Sequence, residues 1–259
     1  MSRIHFIGGE KGGVGKSVLS RLLAQYHIDR QLPFRVFDSD RSHGAMLRFY
    51  AEFSDPVVLD AFDSADRLME TAVAEPGNII VDLAAQTAVP LFDWIDDNDL
   101  PGLAADEGVG LSFWHVMDDG ADSIELLSTL LGRIDPHSAL VVVRNQGRGV
   151  DFGTFNRSAA HAAAVERGAR IIDLPALHAP TMGRVDHHNA SFWAAANNRD
   201  TLGLMDRQRV RVWLRRAYQQ LDGLAAELLA PPAAPAAPAT GPETVNGAEP
   251  DNDPANIGC

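Results

Sequence analysis

Short apolar runs alternate along the chain with stretches in which apolar residues recur every three or four positions. The runs Ile4–Ile7, Arg35–Asp38, Ile79–Asp82, Leu111–Met117, Leu140–Arg144 and Arg170–Leu174 read as buried strands. Helical spacing marks Lys16–Arg30, Ser64–Ala74, Asp122–Arg133, Thr154–Arg167, Asp186–Asn197 and a long segment from about Met205 to Leu229. This alternation predicts an α/β fold, a mostly parallel twisted sheet flanked by helices. Such sheets bind ligands beyond the carboxyl ends of their strands. A glycine-rich turn, the pair Asp38 and Asp40, Asp82 and Asn145 all fall at or just after those ends, so one rim of the sheet is expected to hold a site.

Composition narrows the class. From Pro231 to Cys259 the 259-residue chain carries Pro, Ala, Gly, Asn and acids with almost no large apolar side chains, too little to offset the entropy of ordering. The expected organisation is one domain over 1–229 and a disordered Pro/Ala-rich acidic tail over 230–259. Net charge is −13, and the tail holds four acids (Glu243, Glu249, Asp251, Asp253) and no base. That balance argues against a coat of nucleic acid while allowing a local basic patch. The one cysteine, Cys259, leaves no internal disulfide, redox pair or cysteine metal site. No apolar run approaches the ~20 residues of a membrane span. The first residues run into a strand rather than a signal peptide, so a cytoplasmic location is expected.

Positive charge is distributed oddly. The chain has twenty arginines but two lysines, both within Lys11-Gly12-Gly13-Val14-Gly15-Lys16-Ser17, between the first strand and the first helix. An ammonium is a compact point charge that enters a crowded phosphate cradle more easily than a planar guanidinium. Glycines let backbone N–H groups turn inward around phosphate oxygens at a helix N-terminus. Lys16 is then expected against β- and γ-phosphates, and the Ser17 hydroxyl on Mg2+. The common phosphate-loop pattern requires glycine where this chain has Glu10, whose side chain is expected to face solvent or an arginine.

The stretch fits xKGGxxK[ST] instead, and in this it resembles the ParA/MinD class of deviant Walker A P-loop ATPases. The resemblance implies that ATP and Mg2+ bind, that ATP joins two copies into a sandwich dimer, and that Lys11 reaches the partner's phosphates. A cation supplied in trans can accelerate phosphoryl transfer by ~10³–10⁵. In Phe34-Arg35-Val36-Phe37-Asp38-Ser39-Asp40 the family's DxD pair recurs: Asp38 would help arrange the metal shell and Asp40 orient the attacking water. Ile79-Ile80-Val81-Asp82 matches the Walker B strand, with Asp82 on the metal through water. Its usual glycine is absent, and Gln86 or Thr87 is expected to sense the γ-phosphate. Asn145 takes the place of a base-contacting Asn, or else simply opens the loop toward Gly147 and Gly149. The absence of NKxD favours ATP over GTP.

On the last helix Val210, Leu214, Ala217, Leu221, Leu224 and Leu228 should face the core. Arg207, Arg211 and Arg215 form a second stripe, which would either bind DNA phosphates without sequence preference or pair with the chain's acids. Asp93, Asp96, Asp97 and Asp99 read as a solvated loop. The reading is a slow, partner-stimulated ATPase acting as a dimerisation switch that positions or partitions a DNA or protein cargo, without membrane insertion. Ala88-Val89-Pro90-Leu91 resembles plasmid transfer ATPases of the TraL type, making an accessory ATPase of conjugative transfer the alternative. A small-molecule ligase is the third.

Overall fold

The computed structural model describes residues 2–40 and 44–229; the expected disorder of the tail lies outside them. Along the chain run β1 (Arg3–Gly8), α1 (Lys16–Arg30), β2 (Phe34–Asp38), α2 (Ala45–Phe49), β3 (Ser54–Pro56), α3 (Phe62–Ala74) and β4 (Asn78–Asp82). There follow α4 (Ala88–Asp97), α5 (Leu100–Asp106), β5 (Gly110–Met117), α6 (Ala121–Leu131), β6 (Ala139–Asn145), α7 (Gly153–Asn156) and α8 (Ala159–Glu166). The described chain closes with β7 (Arg170–Leu174), α9 (Ala179–His187), α10 (Phe192–Asn197), α11 (Leu204–Leu224) and a π turn over Ala225–Leu229.

Among the described residues seven parallel strands form one sheet in the order β3-β2-β4-β1-β5-β6-β7. Side chains alternate between its faces. Ile7, Trp114, Val116, Val141 and Val143 pack with α1, α2 and α9–α11. Ile4, Phe6, Phe113, Leu140 and Val142 pack with α3–α6 and α8. Register places Asp38 opposite Asp82, and Asp82 opposite Ile7 at the exit of β1. Three features of the rim therefore converge because adjacent strands end together.

Several boundaries differ from the sequence expectation. β3 is a three-residue edge strand, Ser-Asp-Pro, with no apolar alternation to betray it. The helix expected over Thr154–Arg167 is broken, because Ser158 accepts from the His161 N–H at 3.1 Å and caps a new helix. The one expected over Asp186–Asn197 is two: α9 ends just past Asp186, Asn189 has φ 48°, and Ser191 caps α10. Asp93, Asp96 and Asp97 lie on α4 rather than in a loop, and Asp96 pairs with Arg133 at 3.0 Å.

At the amino-terminal end of the sheet a buried polar chain crosses the core. Trp114 Nε1–H donates to His5 Nδ1 (3.1 Å), so the imidazole proton sits on Nε2, which donates to Asn78 Oδ1 (3.0 Å). Asn78 Nδ2 donates to His27 Nε2 (2.9 Å) and to the Leu229 carbonyl (2.8 Å). His27 Nδ1–H donates to the Leu23 carbonyl at 2.8 Å. Every ring nitrogen is satisfied with both imidazoles neutral. Burial pushes His5 down to about 3 and His27 down to about 4.

Candidate functional site

β1 delivers the chain into a loop that only glycine can follow at two points. Gly9 has φ 133°, and a Cβ there would lie 2.5 Å from the Val116 carbonyl. Gly15 has φ 105°, and its Cβ would meet Asn145 Nδ2 at 2.2 Å. α1 then begins at Lys16 with no side-chain cap and no acid in its first turn, so its leading N–H groups keep their affinity for an anion.

Gly12, Gly13, Gly15, Lys16, Ser17, Asp40 and Asp82 line one cavity of about 360 Å³. The Lys16 ammonium is buried and donates to the carbonyls of Gly9 (2.7 Å) and Lys11 (3.2 Å). Burial lowers its pKa, while Asp82, Glu10 and Asp40 act in the opposite direction. Ser20 Oγ donates to Asp82 Oδ1 at 2.8 Å, and the Ser17 hydroxyl helps to hold the pKa of this carboxylate down. Burial, helped by the charge of Asp38, pushes Asp82 up to about 7. Among the described residues no cluster of three or more His, Cys, Asp or Glu side chains could hold a metal alone. The hydroxyl–carboxylate pair of Ser17 and Asp82 suits a hard divalent ion completed by phosphate and water oxygens.

The remaining candidates divide. Asp38 does not line the cavity. Its carboxylate accepts from the Asp40 N–H (2.9 Å) and the Met46 N–H (2.8 Å), capping α2 rather than facing the metal position expected for it. β2 stops at Asp38, so the two acids are not strand neighbours on one face. Lys11 turns away from the cradle to Asp118 (2.9 Å) and Asp122 (3.7 Å) of its own chain, and the Asp118 hydrogen bond raises its pKa. Val14 is buried and offers its carbonyl to Asn145 Nδ2 at 2.6 Å, while Asn145 Oδ1 accepts from the Gly147 N–H at 2.9 Å. The amide expected to meet a base is here a brace between the loop and the end of β6. It still borders a second cavity of about 270 Å³ with Pro175, Leu177 and Trp213.

Glu10 is half-buried, and its Oε1 accepts from the Ala88 N–H at 2.8 Å, at the start of α4, rather than pairing with an arginine. Leu83, Ala84 and Ala85 line the cavity around Lys16, whereas Gln86 and Thr87 do not. Arg211 and Arg215 are exposed on α11 away from the cavity, and Arg207 donates to the Leu202 carbonyl at 2.6 Å. Sequence reasoning missed Ser39, which joins the ends of β2 and β4 by donating to the Asp82 carbonyl (3.1 Å) and accepting from the Ala84 N–H (2.8 Å). It also missed Arg21, buried one turn beyond Ser17 on α1.

The chain is 27% identical to protein TraL of Escherichia coli over 240 residues, which cover 87% of this chain and 99% of that protein. It is 26% identical to protein MobD of Acidithiobacillus ferrooxidans over 225 residues, 85% of this chain and 97% of that one. Among solved structures it aligns with the MinD cell division protein of Aquifex aeolicus at TM-score 0.48 and 13% identity, covering 85% of this chain and 98% of that one. A plasmid partition protein of Borrelia burgdorferi bound to AMPPNP aligns at TM-score 0.43 and 13% identity, over 83% and 99% of the two chains. No protein-family model matches. The likeness to TraL and MobD spans the domain, so similarity is not confined to the glycine loop.

Proposed function

We propose that this chain is a Mg-ATP-dependent ATPase of the ParA/MinD type, whose nucleotide-driven dimerisation serves plasmid transfer. The observation that carries this reading is the buried Lys16 ammonium inside a left-handed glycine loop, beside the Ser17–Asp82 pair. Backbone N–H groups of Gly12, Gly13, Val14 and Gly15 would hold the triphosphate, and the carbonyls now bound to Lys16 would yield it to phosphate oxygens. Ser17 and Asp82 would hold Mg2+, which supplies charge neutralisation at the phosphates when bound. Asp40, at the cavity wall, would orient the attacking water. Lys11 would leave Asp118 and reach the partner's nucleotide, so that dimer formation completes the site. A protein partner would stimulate turnover. Likeness to TraL along almost its whole length supports the transfer setting.

Asp40→Ala separates binding from chemistry. Mg-ATP affinity and dimerisation should persist while hydrolysis slows ~100-fold or more. Unchanged turnover would remove Asp40 from the mechanism.

A second reading, partition of a DNA cargo, is favoured by Arg211 and Arg215, which are exposed and form no ion pair among the described residues. Retention on DNA in Mg-ATP should fall about tenfold in Arg211→Ala/Arg215→Ala, with a shallower salt dependence. Equal retention would assign the stripe to the chain's own electrostatics.

A further inference from the structure

The phosphate cavity and the cavity beside Asn145 share three wall residues: Val18, Arg148 and Asp186. A nucleotide with phosphates in the first and base in the second must lay its sugar along that wall. Asp186, in the last turn of α9, is half exposed there, with 46% of its side chain accessible. Its Oδ1 accepts from Arg21 Nη1 at 2.8 Å, and no other hydrogen bond to its carboxylate is made among the described residues.

Arg21 explains why that carboxylate is held still. The residue is 3% exposed, and its guanidinium packs against the rings of Phe49 (3.6 Å to the centroid) and Phe192 (4.6 Å). Its Nε and Nη2 have no hydrogen-bond partner, so Asp186 is the acceptor that compensates a buried cation. A planar cation held against two rings has little freedom to move, and its bond to Oδ1 restrains the Asp186 carboxylate at the wall of both cavities.

An ionised carboxylate only accepts hydrogen bonds. Beside a polyphosphate it would be repelled by the phosphates; beside a sugar it meets hydroxyl donors. We propose that Asp186 reads the ribose, accepting from its 2′- or 3′-hydroxyl, with Arg21 as the positioning residue, so that the site takes ribonucleotides in preference to deoxyribonucleotides. The proposal rests on the nucleotide reading above and adds a selectivity that the phosphate loop alone does not confer.

Competition binding with ATP, 2′-deoxy-ATP and 3′-deoxy-ATP in Mg2+ tests it on the full chain. The wild type should bind ATP about tenfold or more tightly than at least one deoxy analogue, the worth of one hydrogen bond to a charged group. Asp186→Asn keeps an oxygen for Arg21 but lacks the charge. It should weaken ATP toward the level of that analogue, leave the analogue nearly unchanged and bring the ratio close to one. A purely structural ion pair would lower all three affinities together and preserve the ratio, which would overturn the proposal. The wild-type comparison decides alone if the variant does not fold: equal affinity for all three defeats the ribose assignment while leaving the nucleotide reading intact. Failure to bind any of the three would defeat both.

Discussion

At the amino-terminal end of the sheet, Trp114, His5, Asn78 and His27 form a buried chain in which each ring nitrogen has a partner and no group is charged. At the carboxyl-terminal end, a buried ammonium rests on two carbonyls, a buried carboxylate is pushed up to about 7, and a buried guanidinium has two unpartnered nitrogens. Both regions are polar and buried, yet one is closed and the other lines a cavity. A satisfied neutral network specifies and stabilises a core. Buried charges with incomplete partners cost stability and gain their compensation from something bound. The same sheet thus carries a structural end and a receptive end.

The two ends should titrate in opposite senses. Burial lowers the pKa of His5 to about 3 and of His27 to about 4, so both stay neutral in the fold, whereas an unfolded histidine protonates near 6.5. Their contribution is complete above that value and is lost as pH falls toward 4, by roughly 3 kcal/mol for each histidine that must charge. Asp82, raised by burial, works against the apo fold as pH rises toward 7, but one carboxylate opposes two imidazoles. Urea unfolding of the apo protein should therefore show a lower midpoint at pH 5 than at pH 7.5. A midpoint unchanged or higher at pH 5 would mean that the imidazole chain is not the dominant titrating element.

Asn78→Ala breaks the closed end at its centre. It strips partners from His5, His27 and the Leu229 carbonyl at once, and should cost about 3–5 kcal/mol in chemical denaturation. Nucleotide affinity of the folded fraction should be unaltered, because Asn78 sits at the start of β4 and the cradle lies beyond its end. A large loss of affinity without loss of stability would show that the two ends are coupled rather than separate.

The sheet was legible because its strands are continuous apolar runs, and the glycine loop before α1 because its glycines and lysines have a fixed spacing. β3 was not, since a three-residue edge strand ending in proline has no pattern to detect. The breaks at Ser158 and Asn189 were hidden because alanine-rich and mixed helical stretches mask a single capping residue. Within the site, spacing marked Lys16, Ser17, Asp40 and Asp82, which line one cavity, but could not tell which carboxylates line it. Asp38 is consumed by backbone N–H groups of α2, and Glu10 by that of Ala88, contacts fixed by tertiary approach. Arg21 and Asp186 are 165 residues apart, a separation at which no local signal pairs them.

The central claim is that the loop around Lys16 holds Mg-ATP, and calorimetric titration of Mg-ATP into the wild type and into Lys16→Ala tests it most directly. The account predicts saturable binding by the wild type and at least a ~100-fold loss in the variant, since removing the buried ammonium forfeits a charged hydrogen bond and its electrostatic attraction, with unfolding of the apo protein little changed. Absence of binding by the wild type, or equal binding by both, would contradict it.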